Sequence, residues 1–238
     1  MGSDKPMITS KDNQQIKYIH KLKQKKYRDQ ENKFLIFGDH LIEEAQKANI
    51  KLEIYTSNPK KEGTLISHEL MKYLSFLDSP QDILAIVEKQ PQKPYTNKIL
   101  ILEDVQDPDN VGALIRSAVG FGFETVISSL KSADFYNEKT IRTSQGTLFH
   151  ANLIRKNVIE EITQLKHLNY KIIVTSPHTN KDIKSIKVKD RVVLVLGNEG
   201  SGISDAVFHL ADEVVKITTT TIESLNVSVA GAIAMFVL

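Results

Sequence analysis

Val192-Val-Leu-Val-Leu196 is the most apolar strand-like run of the 238-residue chain, and it passes directly into Gly197-Asn-Glu-Gly-Ser-Gly-Ile-Ser204. Five apolar residues with no polar alternate describe a strand covered on both faces, the habit of parallel sheets. The glycine-rich turn after it stands where open α/β sheets bind ligands. Outward from this run, Ile99–Leu102, Thr125–Ile127 and Lys171–Thr175 are further β-branched or leucine-rich stretches, with a weaker one at Glu213–Ile217. Helical spacing fills Val111–Phe121, Val158–Leu168 and Ile203–Leu210. Strands alternating with helices predict an α/β domain built on a parallel sheet.

The first third reads differently. Gln14–Arg28, Leu41–Ala48 and His68–Leu74 have helical spacing, and Phe34–Phe37, Leu52–Thr56 and Ile83–Val87 read as strands. Gln90-Pro-Gln-Lys-Pro-Tyr-Thr-Asn97 is polar with two prolines, the composition of a linker. The expected division is a small α/β domain over 7–90, a linker over 91–97 and a larger domain over 98–238. Met1–Pro6 reads as a leader ahead of a natural start at Met7. Cysteine is absent, which excludes a disulfide framework and a thiolate metal site. No apolar run reaches the roughly 18–20 residues of a membrane span. With no secretory signal in the polar N-terminus, the expectation is a cytoplasmic protein without metal or membrane. The formal charge of +2 argues for no particular partner. Its distribution does, since Lys17, Lys21, Lys23, Lys25, Lys26 and Arg28 crowd one stretch that can follow a phosphate backbone. A solvated helix face explains the same residues.

Three loop segments carry chemistry. In Glu103-Asp-Val-Gln-Asp-Pro-Asp-Asn110, followed by Val-Gly-Ala-Leu-Ile-Arg-Ser-Ala118, Asn110 is placed to cap a helix whose small residues keep it thin. Arg116, read as standing near the helix start, offers a planar fork for phosphate or carboxylate. Gly197–Gly202 matches neither G-x-G-x-x-G nor G-x-x-x-x-G-K-[ST], which disfavours the dinucleotide fold and the P-loop. Glu199 inside it would repel phosphates and suits hydroxyls, amines or a positive centre. In Ile217-Thr-Thr-Thr-Thr-Ile-Glu-Ser-Leu-Asn226, Ser224 and Asn226 open a helix rich in Ala and Gly.

Taken in order, Asn110-x-Gly-Ala-x-x-Arg116-x-Ala118, Gly197-Asn-Glu199-Gly-x-Gly202 and Glu223-Ser-Leu-Asn226-Val-Ser-Val-Ala230 resemble the three signature motifs of the SpoU/TrmH family of RNA ribose methyltransferases. Lys139–Phe149 resembles the family's intervening segment, and Phe34–Ala45 the substrate-binding domain that many members carry. Three features depart from the family pattern, one being a loop to Ser224 that is shorter than usual. Thr218 and Thr219 follow Ile217 where Pro-Met is usual, and the chain ends at Leu238 without the acidic residue that often follows.

The resemblance implies a SPOUT catalytic domain with a deep trefoil knot, preceded by a small L30e-like α/β domain, working as a homodimer. It implies S-adenosyl-L-methionine as cofactor, held by Thr175, Ser176, Leu196, Gly197, Gly202, Ile217 and Leu225. Methyl transfer to a ribose 2′-hydroxyl then needs the acceptor aligned and relieved of a proton. Arg116 is the family's suspected catalytic residue. A guanidinium with pKa above about 12 is a poor base, so its expected role is to bind phosphate and stabilise the developing alkoxide. Asn110, Ser224 and Asn226 are expected to orient the ribose, and Glu199 to hold Arg116 or a neighbouring donor. Lys21, Lys23, Lys25, Lys26, Arg28 and Arg142 are the expected RNA contacts, with ribosomal RNA preferred over transfer RNA. The competing readings are methylation of a base, an RNA-binding protein without catalysis, and a nucleotide-dependent oxidoreductase.

Overall fold

The computed structural model describes residues 6–188, 190–222 and 224–238. Met1–Lys5 of the leader reading and Glu223 of the third motif lie outside them. The chain divides into two units, one holding the chain up to Pro91 together with Tyr136–Phe149, the other Gln92–Phe135 and His150–Leu238.

The first unit runs α1 (Gln14–Lys21), α2 (Lys25–Glu31), β1 (Lys33–Phe37), α3 (Asp39–Lys47), β2 (Leu52–Thr56), β3 (Thr64–Leu65), α4 (His68–Leu74) and β4 (Ile83–Glu88). Its sheet has the order β1-β4-β2-β3, with β4 antiparallel to β1 and β2. β4 is central and buries five successive residues, Ile83 to Val87. The helix expected over Gln14–Arg28 is two helices. The break follows from Arg28, which is 6% exposed and donates to the Leu22 and Lys23 carbonyls at 3.2 and 2.7 Å. Those carbonyls lie just past the end of α1, so the guanidinium supplies partners that a continuing helix would otherwise have provided. Ile16 and Ile19 of α1 pack with Leu70, Met71 and Leu74 of α4 over Leu84 and Ile86.

The second unit runs β5 (Lys98–Leu102), α5 (Pro108–Gly120), β6 (Thr125–Ser128), β7 (Asn152–Arg155), α7 (Val158–His167), β8 (Lys171–Thr175), β9 (Val192–Leu196), α8 (Asp205–Leu210), β10 (Glu213–Val215) and α9 (Val227–Val237), with α6 (Glu138–Ser144) of the first unit between β6 and β7. The order is β10-β8-β9-β5-β6-β7 and every neighbouring pair is parallel. The expected α/β architecture with a parallel sheet is therefore what the chain adopts. β5, β8 and β9 are buried on both faces because helices cover both, which is why their residues do not alternate. The segment Tyr136–Phe149, read from sequence with the second half, sits in the first unit, where Tyr136 packs on the Phe34 ring at 4.6 Å.

Between β7 and β8 the chain changes sides, so β8 and β9 lie beyond β5 rather than beyond β7. Leu102 of β5 is paired with Leu196 of β9, which sets the loops after the two strands side by side. α9 then returns across α5 and β9. A Cβ on Gly231 would stand 2.4 Å from Leu114 Cδ2 and 2.6 Å from Leu196 Cδ1, so glycine is what permits this approach. Among the described residues no helix is long and apolar enough to cross a membrane.

Candidate active site

The β5–α5 loop and the β9–α8 loop are locked together by three side chains. Glu103, 9% exposed, accepts from Ser204 N at 3.0 Å and from Ser204 Oγ at 2.5 Å. Asn198 donates to the Asp104 carbonyl at 2.8 Å, while its own Oδ1 accepts from Gly200 N and Ser201 N at 2.9 Å. The third is Glu199, which accepts from Gln106 N, Asp107 N and Asn110 Nδ2, each at 3.1 Å. The glycine turn is itself closed by reciprocal bonds between Asn198 and Gly202, both 3.0 Å, and a Cβ on Gly197 would fall 2.4 Å from Gly202 C.

Asn110 passes the link onward. Its Oδ1 accepts from Asn226 Nδ2 at 3.0 Å, and Asn226 Oδ1 accepts from Ser228 N and Val229 N at 2.9 and 3.3 Å. Residues from three distant segments thus form one chain of hydrogen bonds, Asn226 to Asn110 to Glu199. Burial acts to raise the Glu199 carboxyl, but hydrogen bonds from its own backbone, Gln106, Asn110 and Asp107 outweigh it and hold the group below its ordinary value. Glu199 is consequently an ionised, fully engaged acceptor near neutral pH and a weak proton acceptor.

Several expectations are corrected here. Asn110 does not cap α5: Asp107 does, accepting from Asp109 N at 2.9 Å, because Pro108 takes the first helical position. Asn110 sits one turn in and is 7% exposed. Of Ser224 and Asn226, both read as opening α9, Asn226 is the cap. Arg116 lies in the last two turns of α5, away from its N-terminus, is exposed, and has no hydrogen-bond or ion-pair partner among the described residues. For Glu199, expected to hold Arg116 or a neighbouring donor, the second alternative applies: it accepts from backbone N–H groups and Asn110 and has no bond to Arg116.

The ends of β8, β9 and β10 and the loop before α9 enclose a cavity of about 500 Å³. Thr175, Ser176, Leu196, Gly197, Gly202, Ile217 and Leu225 all line it, as do Glu199, Ser224 and Asn226; Asn110 and Arg116 do not. Its size lies within the roughly 300–1,000 Å³ usual for small-molecule sites. Apolar Leu196, Ile203, Phe208 and Leu225 line it together with the residues of the glycine turn, a mixture suited to a flat ring with a polar edge. The threonines after Ile217 are built in: Thr218 donates to Asp182 and Thr219 to the Ile222 carbonyl. The Thr218 bond is the main reason the Asp182 carboxyl is held below its ordinary value. Sequence reading missed Glu103, Asn198 and Ser204, whose partners are 94 to 101 residues away.

Among the expected RNA contacts, Arg28 is corrected, since it is buried and engaged with the end of α1. Lys25 is paired with Asp29, and Arg142 with Glu138 at 3.2 Å. Lys23 is half-buried and donates to the Ser75 carbonyl at 2.8 Å. Lys21 and Lys26 are exposed, each about 5.8 Å from the Tyr27 ring centre.

Comparison with known proteins agrees with this geometry. Residues 97–236 match the SpoU rRNA Methylase family and residues 13–85 the MRM3-like substrate binding domain. The 23S rRNA (guanosine(2553)-2′-O)-methyltransferase RlmP of Bacillus subtilis (strain 168) is 33% identical over 241 residues, covering 96% of this chain and 97% of that protein. A crystal structure of an RNA 2′-O ribose methyltransferase superposes with a TM-score of 0.80 at 28% identity, covering 98% of this chain and 97% of that one. AdoMet-bound rRNA methyltransferase from Sinorhizobium meliloti superposes with a TM-score of 0.85 at 23% identity, covering 98% and 96%. With the family pattern spanning more than half its length, the chain belongs to the SpoU rRNA methylase family.

Proposed function

We propose that the chain transfers a methyl group from S-adenosyl-L-methionine to the ribose 2′-hydroxyl of a guanosine in 23S ribosomal RNA. The observation that carries this reading is the hydrogen-bonded chain Asn226–Asn110–Glu199 set against the cavity at the ends of β8 and β9. The RlmP relative, at 33% identity over nearly the whole chain, supports the nucleotide.

The cofactor supplies a methyl group on a cationic sulfur, already activated for in-line displacement. The residues that would hold it are Thr175, Ser176, Leu196, Gly197, Gly202, Ile217 and Leu225, which share one cavity. What the chain must add is placement and charge. Asn226 and Ser224 at the cavity rim orient the acceptor ribose, and Asn110 fixes the Asn226 amide so that its rotamer is set before the RNA arrives. Glu199 fixes Asn110 in turn. Arg116, with its donors uncommitted among the described residues, is the group that meets phosphate and the developing alkoxide.

The reading includes a homodimer formed through the second unit. Val229, Ile233 and Phe236 on α9 are 48%, 37% and 75% exposed, and Phe121 of α5 stacks edge-on against Phe236, an apolar face that solvent would not favour. Insertion of β9 between β5 and β8, with α9 returning over α5, supports a knotted C-terminal segment. The first unit is read as an L30e-like domain that selects the RNA, over 7–90, with 91–97 as linker and 98–238 as the catalytic domain. A cytoplasmic site follows from a ribosomal RNA substrate.

The test is transfer of tritiated methyl to total RNA from a strain lacking the gene. Label in the 23S fraction is expected. Label confined to transfer RNA would move the substrate, and no label in any RNA would refute the activity.

A further inference from the structure

On the first unit, α1, α4, the loop after α4 and the end of β1 bring four rings together. His20 lies flat on Tyr73, with centres 4.6 Å apart and planes 6° from parallel. Phe76 meets Phe37 edge-on at 5.6 Å. Tyr73, Phe76 and the adjacent Leu77 are 36%, 40% and 39% exposed. A folded domain gains nothing by presenting such rings to water unless something else covers them.

Cations accompany the rings. Lys11 lies 4.6 Å from the Tyr73 ring centre and Lys23 4.7 Å from that of Phe76. Lys23 also donates to the Ser75 carbonyl, and Ser75 Oγ accepts from Leu77 N at 2.9 Å, so the loop bearing Phe76 is pre-shaped. Burial, with Lys23 nearby, lowers the His20 imidazole below its ordinary value, so this ring is a neutral aromatic surface near pH 7. Of the neighbouring carboxylates, Asp12 is paired with Lys17 at 2.8 Å, leaving Asp78 of the same loop and Glu69 of α4. Flat rings beside lysines are the combination that stacks nucleobases and tracks the phosphates between them.

We propose that His20, Tyr73 and Phe76, with Lys11 and Lys23, form a platform on which an unpaired base of the substrate RNA stacks. It rests on the methyltransferase reading above and differs from the lysine run on α2, which offers charge beside a single ring. The face reads no base edge; it selects RNA in which a base is already splayed from its helix, such as a loop or bulge.

The chain contains no tryptophan, so Tyr73→Trp places a single indole on the platform. Full-length Tyr73→Trp titrated with protein-free 23S rRNA transcript should show quenched indole fluorescence as the complex forms. Phe76→Ala should weaken binding of the same transcript about 5- to 150-fold, the range for loss of one stacked base, while S-adenosylmethionine affinity stays unchanged. Phe76→Leu, which keeps an apolar contact with Phe37 but presents no flat ring, should bind as weakly as Phe76→Ala while unfolding at the parent's midpoint, which loss of folding would not predict. The proposal is overturned if Phe76→Ala and Tyr73→Ala bind the transcript as the parent does while the parent still methylates it; the methyltransferase reading then stands. It is also overturned if these variants fail only on assembled ribosomal subunits, since the face would then meet protein. A parent that methylates no RNA removes both.

Discussion

Replacing Gly197 with alanine probes the cofactor loop directly. The added Cβ would lie 2.4 Å from Gly202 C, 2.5 Å from Gly202 O and 2.6 Å from Ile203 N. All three are backbone atoms, so no side chain can swing aside. Reaching an ordinary contact of 3.4 Å requires a displacement of about 1 Å (3.4 minus 2.4). The two reciprocal Asn198–Gly202 bonds, both 3.0 Å, cannot survive that shift. At about 1 kcal/mol net for each, the closed turn loses about 2 kcal/mol, or roughly thirtyfold in affinity for whatever binds it. Calorimetric titration with S-adenosylmethionine should show that loss. Gly200→Ala is the control, because its Cβ would meet only Asn198 Oδ1 at 3.6 Å, and its affinity should stay within about twofold of the parent. Equal losses in both variants, or no loss in Gly197→Ala, would refute the argument that the turn's closure holds the cofactor.

Arg116→Ala should abolish methyl transfer in a filter assay while leaving cofactor affinity and the unfolding midpoint unchanged, because the side chain has no partner among the described residues to lose. A variant retaining most activity would remove Arg116 from catalysis. Phe236→Glu should shift the protein from dimer to monomer in analytical ultracentrifugation, weakening association by at least about tenfold, as expected for an aromatic anchor. Unchanged sedimentation would mean that α9 faces something else. For Glu199, the folded carboxyl lies below the ordinary 4.5, so its stabilising effect is present above that pH and fades as pH falls through the folded value. The difference in unfolding midpoint between the parent and Glu199→Gln should therefore be constant from pH 7 to about 5 and shrink below about 4.5. A gap that persists at pH 3 would point to a cause other than the charge.

The parts of this molecule legible in sequence are those where one physical pressure acts locally. Val192–Leu196 and Lys171–Thr175 are visible as strands because helices cover both faces, and burial selects apolar residues at every position. Asn152–Arg155 was missed because it is a short edge strand with alternating exposure, and Thr64–Leu65 because two residues carry no period. The motif residues were recognisable as types, yet their partners were not. Asn110 and Asn226 are 116 residues apart and Glu103 and Ser204 are 101, distances at which only the sheet order decides who meets whom. Arg28 shows the opposite failure. Lys25 and Lys26 shortly before it are exposed, so composition groups it with them, whereas its guanidinium turns inward onto the Leu22 and Lys23 carbonyls. The cap of α5 is misread for a similar reason, since Asp107 precedes Pro108, which starts α5 two residues before Asn110.

The central claim is that the acceptor is a guanosine ribose in 23S rRNA. Incubating the full chain with S-adenosylmethionine and protein-free 23S transcript, digesting to nucleosides and resolving them by mass spectrometry tests it most directly. The account predicts 2′-O-methylguanosine as the new nucleoside, absent with Arg116→Ala. A guanosine methylated on its base, or no methylated nucleoside from either this transcript or assembled subunits, would contradict it.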